Sequence, residues 1–317
     1  MKLNSEQEED HQLVTFIVVA YNQERFIRDA IAGAFSQTYT PLEIILSDDC
    51  SPDGTFAIMK EMADAYEGSH KVVLNRNEKN LRVTGHVNQL VEMATGKIIV
   101  LAAGDDISLP ERAARSVELM SDGASAVSFS THVFSKQAEL INLDNQIKNK
   151  HSEVSLHSWN AYLKNPLFHL NGAARSFRKN IFEVFSAINT DCPTEDSVIL
   201  LRSLMLGEVV NSDEVMVCYR VHENNMSSVA GLKKMNFDKI YEQYLRDMQL
   251  ACQIDLLSPK EFKQLNKAMV SRRKSAVAIN SFNFSGARMS GYLKYILPNS
   301  VLSLRMKARF LFNILKK

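Results

Sequence analysis

The chain has 317 residues, with 37 Lys and Arg against 36 Asp and Glu and a net charge of +1; 45% of the residues are hydrophobic and 23% are charged. This is the composition of a globular protein, long enough for one large domain or a domain with an appendage, and it excludes collagen-like repeats and wholesale disorder. No apolar run approaches the ~20 residues that span a bilayer. The first twelve residues carry Glu6, Glu8, Glu9 and Asp10 in place of a basic, apolar leader, so a flexible acidic N-terminus and a cytoplasmic location are expected.

Residues 13–20 (LVTFIVVA) read as a buried strand, rich in β-branched side chains. Residues 24–36 space Phe26, Ile27, Ala30, Ile31, Ala34 and Phe35 as a helix does. A second strand is predicted over 42–46 (LEIIL), followed by the turn-rich run DDCSPDGT and a helix over 55–66. A short strand over 71–74, a helix over 85–94, a strong strand over 98–103 (IIVLAA) and a helix over 110–120 come next. Strands alternating with helices predict an α/β fold with a mainly parallel sheet covered on both faces. From Ser125 the strands shorten. A helix is predicted over 195–206, paired strands over 208–221 turning at Asn211-Ser212-Asp213, and helices over 235–256, 259–280 and 300–315.

The cysteines, Cys50, Cys192, Cys218 and Cys252, are scattered without metal-site spacing and read as reduced structural thiols. Charge is unevenly spread. Residues 1–231 carry a net charge of −11 and residues 232–317 a net charge of +12; no acidic residue follows Glu261. A basic tail of this kind suits a phosphate-bearing partner, while the plain alternative is a solvated helix surface or a tail docked on the acidic part. In the last predicted helix Arg305, Arg309 and Lys316 share one stripe, with Lys307 opposite. That pattern leads us to expect contact with an anionic membrane surface. No nucleic-acid reader motif is present.

In open α/β sheets ligands bind at the carboxyl ends of the strands. Two acidic pairs fall there: Asp48-Asp49 after the second strand and Asp105-Asp106 after IIVLAA. No Walker pattern is present, and no G-x-G-x-x-G follows the first strand. Carboxylates hold phosphates only through a bridging cation, and Mg²⁺ or Mn²⁺ suits one or two carboxylates plus substrate oxygens. Adjacent aspartates in loops are more often turns or helix caps, with Asp53 available for an Asx turn. Glu195-Asp196 at a helix start reads equally as dipole complement or as a general base. Arg220 and His222 flank Val221 and can project from one side.

The ordered set carries more weight than its parts. Val18-Val19-Ala20-Tyr21-Asn22, Ser36-Gln37-Thr38-Tyr39, Glu43-Ile44-Ile45 and the run from Asp48 to Thr55 open it. Ala94-Thr95-Gly96-Lys97, Gly104-Asp105-Asp106, Leu109-Pro110-Glu111-Arg112, Thr194-Glu195-Asp196 and Tyr219-Arg220-Val221-His222 follow. Over residues 14–228 this series resembles the family-2 glycosyltransferases. The resemblance implies a GT-A fold with a nucleotide-binding half over about 13–120 and an acceptor half over about 121–231. A helical basic extension over 232–317 lies outside it. It implies an inverting transferase that uses a nucleotide-diphosphate sugar donor, Mn²⁺ or Mg²⁺, and a glycan or lipid-linked acceptor in surface polysaccharide or glycolipid synthesis.

By similarity Val19 and Tyr21 line the base and ribose pocket, Asp49 accepts a bond from the base, and Arg82 approaches the nucleotide. Asp105 falls on the metal position, with Asp106 beside it and His222 as a further ligand. Arg220 and His222 resemble a loop that closes over the diphosphate, and Asp196 falls on the catalytic base. Trp159, His169, Asn171 and Gly172 are candidates for the acceptor side, with ordinary core packing as the plain alternative. Many relatives carry Asp-x-Asp-Asp, and here Ala103 stands where the first Asp would be. A sugar nucleotidyltransferase shares the sheet and metal logic but usually has a Gly-rich basic loop after its first strand; this chain has Tyr21-Asn22-Gln23-Glu24-Arg25. A non-catalytic nucleotide- or glycan-binding relative is the third reading.

Overall fold

The computed structural model describes residues 12–140, 152–165, 170–223, 225, 235–284, 288–299, 302 and 304–315. The acidic residues 1–11, His169, Lys316 and the side chains of Arg305 and Arg309 lie outside the described residues.

The first half alternates as expected: β1 (Val14–Ala20), α1 (Ile27–Phe35), β2 (Leu42–Asp48), α2 (Thr55–Asp64), β3 (Lys71–Arg76), α3 (Arg82–Met93), β4 (Ile98–Ala103), β5 (Ile107–Ser108) and α4 (Arg112–Leu119). The second half holds β6 (Ala126–Phe134), β7 (Val154–His157), α5 (Trp159–Lys164), β8 (Arg175–Arg178), α6 (Asn180–Phe185), α7 (Asp196–Leu206) and β9 (Val209–Arg220). Helices α8 (Phe237–Gln253), α9 (Pro259–Phe284) and α10 (Leu304–Leu315) follow.

Among the described residues nine strands form one sheet in the order β3-β2-β1-β4-β8-β6-β9-β5, with β7 also paired to β9. The pairs β3–β2, β2–β1 and β1–β4 are parallel. Strand β8 is antiparallel to both β4 and β6, and β6 is parallel to β9. Two antiparallel steps cancel, so β6 and β9 run in the same sense as β4. The carboxyl ends of β1, β2, β4 and β9 therefore share one edge of the sheet, together with the start of β8.

Side chains alternate across the strands, and both faces are dry. Phe16, Val18, Ile44, Leu46 and Val100 pack under α1, α2 and α4, with Ile31 and Met59. Ile17, Ile45 and Ile99 face the other way, onto Val87 and Leu90 of α3, Leu201 of α7 and Met248 of α8. Helix α8 thus belongs to the same core as the sheet. It is pinned there by Arg202 and Asp247, almost fully buried and 2.8 Å apart. Helix α9 adds Leu265 and Met269 to that core. Its far end joins Tyr292, Ile296, Leu302, Phe310, Leu311 and Ile314 in a separate small cluster around Phe282.

The expected turn at Asn211-Ser212-Asp213 is not a turn. Residues Val209–Arg220 form one twelve-residue strand, and the polar triplet sits where the β6–β9 register shifts. A bulge absorbs the surplus residues. Asp213 is satisfied at the outer edge, where its amide donates to the Glu153 carbonyl and its Oδ1 accepts from the Glu153 amide.

At the opposite edge from the site, Glu43 explains the Ala94-Thr95-Gly96-Lys97 motif. It accepts bonds from Thr15, Lys71 and Thr95. Against the cost of burial, these bonds hold Glu43 down at about 2. Gly96 has no room for a side chain, since a Cβ would stand 2.5 Å from the Thr15 amide nitrogen.

Candidate active site

The carboxyl edge is built from strand ends locked by main-chain bonds: Asp49 N to Ala20 O at 2.9 Å, Gly104 N to Val19 O at 2.8 Å and Asn77 N to Asp48 O at 2.9 Å. In the DDCSPDGT run most polar side chains serve the loop itself. Asp48 accepts from the Ser51 amide and pairs with Arg76. Ser51 accepts from the Asn22 amide, and Asp53 takes both the amide and the hydroxyl of Thr55 at the start of α2.

Asp49 is the member held for another purpose. Its Oδ1 accepts from Asn77 Nδ2 at 2.7 Å and from the Leu81 amide at 2.8 Å. Its Oδ2 has no bonded partner among the described residues. Behind it runs a partly buried relay in which Asn75 donates to both Asn77 and Ser47, and Ser47 meets His86 Nε2 at 2.6 Å. Burial lowers the His86 pKa against the pull of Asp49 and Asp48. Val19 is half-buried at the end of β1 and Tyr21 is exposed just beyond it. Arg82 is exposed. Asn22 and Cys50, which follow Tyr21 and Asp49 in the chain, and Arg82 itself all adopt positive φ, a strained conformation for non-glycine residues that clusters at functional sites.

Gly104 fits a tight crossing, because a Cβ there would stand 2.9 Å from the Ala20 Cβ. The two aspartates that follow diverge. Asp105 Oδ2 lies 3.0 Å from His222 Nε2, with both side chains partly open to solvent. Asp106 turns inward, and its Oδ1 accepts the Arg220 amide at 2.9 Å. Burial, and Asp105 beside it, push Asp106 up to about 8 despite Arg220 and Arg112. Arg220 Nε donates to the Asp105 carbonyl and its terminal nitrogen to Asp29 Oδ2 of α1 at 2.7 Å. The guanidinium lies between the rings of Phe26 and Phe134. Phe26 also lies against the His222 ring. Arg220 is therefore 7% exposed and committed to protein partners.

Asp196 opens α7. Its Oδ1 accepts from Thr194 Oγ1 at 2.6 Å and from the Ser197 amide at 2.5 Å, and the buried Arg175 donates to its carbonyl. Arg175 also donates to Ser128 and to the Leu170 carbonyl, so one guanidinium fixes β6, the start of α7 and the segment before β8. Glu195 and Asp196 border a small cavity shared with Leu101 of β4, Gly172 and Arg175. Burial, then the adjacent Asp196, push Glu195 up to about 7. Asn171 donates to Thr131 and accepts from the Ala173 amide. Arg112 spans the two halves, donating to the carbonyls of Leu101, Ala173 and Arg175.

The edge thus brings together Val19, Tyr21, Asp49, Asp105, Asp106, Arg220 and His222, with Asn171, Gly172 and Asp196 on the β8 side. Trp159 is placed elsewhere: its indole donates to Glu261 of α9 and its ring stacks on Tyr162. Among the described residues no group of three or more His, Cys, Asp or Glu converges as a metal cage. Asp105 and His222 fit a divalent cation as an incomplete set that needs oxygens from a ligand. Sequence reasoning missed Asp29, Asn77 and Arg175. Only Asn75 and Asn77, alternating at the end of a strand, left a readable signal.

The sheet's carboxyl edge gathers carboxylates, a histidine and a helix N-terminus, without a glycine phosphate loop, at the place where open α/β sheets bind their ligands. The sequence profile of Glycosyl transferase family 2 matches residues 15–185, more than half of the chain, and the chain belongs to this family. An uncharacterized glycosyltransferase of Haemophilus influenzae is 26% identical over 279 residues, covering 83% of this chain and 85% of that protein. EpsE of Bacillus subtilis, named as a glycosyltransferase, is 37% identical over 107 residues, which span 34% of this chain and only 38% of EpsE. Among solved structures, the mannosyltransferase PcManGT of Pyrobaculum calidifontis, in complex with GDP-Man and Mn²⁺, superposes with a TM-score of 0.58 at 19% identity, covering 96% of this chain and 79% of that one. The fold is that of the GT-A glycosyltransferases. No helix among the described residues is long and apolar enough to cross a membrane.

Proposed function

We propose that the chain is a metal-dependent, inverting glycosyltransferase that moves a sugar from a nucleotide-diphosphate donor to a hydroxyl of a glycan or lipid-linked acceptor, as in surface polysaccharide or glycolipid synthesis. The observation that carries this reading is the division of labour along one edge. A carboxylate–imidazole pair, Asp105 and His222, stands at the end of β4, and a separate carboxylate, Asp196, held by Thr194 and the Ser197 amide, opens α7 against Gly172.

Base and ribose lie against Val19 and Tyr21, and Asp49 Oδ2 accepts from the base while Oδ1 keeps the carboxylate oriented. Asp105 and His222 would hold a divalent cation, which would supply charge neutralisation for the departing diphosphate. Mn²⁺ bound with a nucleotide sugar in PcManGT is consistent with that donor set. Asp196 takes the proton of the acceptor hydroxyl, and its two bonds to Oδ1 leave Oδ2 facing the cavity side at Gly172. Attack from that side, opposite the leaving group, inverts the anomeric centre without a covalent enzyme intermediate. Arg220 acts by holding the Asp105 turn rather than by reaching phosphate.

The test incubates the protein with nucleotide sugars, Mn²⁺ and a glycolipid extract and identifies the released product. Nucleoside diphosphate is expected. Pyrophosphate would assign a nucleotidyltransferase, and binding without release would assign a non-catalytic relative.

A further inference from the structure

We infer that the C-terminal helices form an interfacial surface that lies on anionic lipid, with a stripe of Met289, Leu293 and Leu297 entering the headgroup region. Residues 288–297 form a helical turn at Met289–Gly291 that widens into Tyr292–Ile296. One side is spent on folding: Tyr292 and Ile296 are buried in the small cluster with Phe282 and Leu302. The other side is not. Met289, Leu293 and Leu297, at four-residue intervals, are 37%, 55% and 48% exposed. Arg288 and Lys294 are exposed beside them.

Helix α10 does not supply a competing cover from its core face, because Phe310, Leu311 and Ile314 already pack into the cluster. Charge selects the occupant. Residues 262–317 hold twelve Lys and Arg and no Asp or Glu. An apolar stripe bordered by basic residues matches a bilayer of anionic headgroups over acyl chains. A second copy of the chain meeting it through the same face would bring the same positive charge to the contact. A nucleic acid would reward the charge but gain little from exposed leucines. The contact stands on the stripe and the charge alone. The corollary that it brings the active site to a lipid-linked acceptor rests on the function proposed above.

The test is co-sedimentation of the full chain with vesicles of phosphatidylcholine alone and of phosphatidylcholine mixed with phosphatidylglycerol, at low and high salt. Binding is expected only to the mixed vesicles and only at low salt. Leu293→Glu/Leu297→Glu, at exposed positions, is expected to lower it by ~10-fold or more with unchanged melting temperature, and Leu293→Met/Leu297→Met to retain it. Arg288→Gln/Lys294→Gln is expected to lower it ~5-fold per base removed. No binding to mixed vesicles, or equal binding by the Glu variant, overturns the proposal. So does a concentration-dependent dimer that the Glu variant abolishes, or oligonucleotide binding in the absence of vesicle binding. Vesicle binding without sugar transfer would leave this surface standing and count against the proposed activity instead.

Discussion

Gly172 stands against Asp196 so closely that a Cβ on it would lie 2.5 Å from the Asp196 Oδ2 and 2.7 Å from its Cβ. The glycine is the wall against which the carboxylate is aimed. Replacing it with Ala forces Asp196 out of line, and a small misplacement of a reacting group costs ~10²-fold. Gly172→Ala is expected to lower kcat on that scale with donor affinity nearly unchanged, measured by transfer assay and donor titration.

Asp196→Asn is expected to lower transfer by ~10²-fold or more, the usual scale for a general base, again with little change in donor binding. Glu195→Gln is expected to be milder. Wild-type turnover by Asp196→Asn would remove the residue from the mechanism.

Glu195 also predicts a pH dependence of stability. Its carboxyl is raised from 4.5 to about 7 in the folded protein. Between those values the unfolded chain releases the Glu195 proton while the folded chain keeps it, so the Glu195 contribution to stability falls as pH rises and levels off above about 7. Glu195→Gln lacks this slope. The melting-temperature difference, variant minus wild type, is expected to rise across that window and then stay flat.

The Asp29–Arg220 pair separates two roles for the arginine. If Arg220 bound the diphosphate directly, Asp29→Asn would free it and strengthen donor binding. Because Arg220 also carries the Asp105 carbonyl and presents its amide to Asp106, loosening it should disturb the turn. Asp29→Asn and Arg220→Lys are therefore both expected to weaken cation-dependent donor binding, the Lys variant by ~10-fold through loss of its planar fork. Isothermal titration with donor and Mn²⁺ reads the sign directly.

The buried Arg202–Asp247 pair predicts where the C-terminal region stops being an appendage. Burial raises the Asp247 carboxyl pKa against the pull of Arg202, so this ion is held at a cost. Removing one partner leaves a buried charge uncompensated. Asp247→Ala is expected to destabilise the whole chain by ~3–5 kcal/mol in urea unfolding.

The parallel half was legible because each strand is a continuous apolar run and each helix has its own stripe. Asp105, Asp196, Arg220 and His222 were legible as motif members at strand and helix ends. Their contacts were not. Asp105 and Asp106 are identical letters, and only the crossing at Gly104 and the return of β9 turn one outward and the other onto the Arg220 amide. Asn211-Ser212-Asp213 reads locally as a turn, yet pairing of β9 with β6 on one side and β7 on the other holds it in the sheet as a bulge, a case of tertiary context overriding local preference. Trp159 reads as a candidate for the acceptor side with core packing as the plain alternative, and no sequence signal points to Glu261 of α9 as its partner.

The most direct measurement is donor titration in the presence of Mn²⁺ and in excess chelator, for wild type and Asp105→Ala, across UDP- and GDP-sugars. One nucleotide sugar is expected to bind the wild type with Mn²⁺, to lose at least ~10-fold in affinity in chelator, and to bind Asp105→Ala weakly in both conditions. Nucleotide-sugar binding of equal strength with and without chelator, unaffected by Asp105→Ala, would contradict the account.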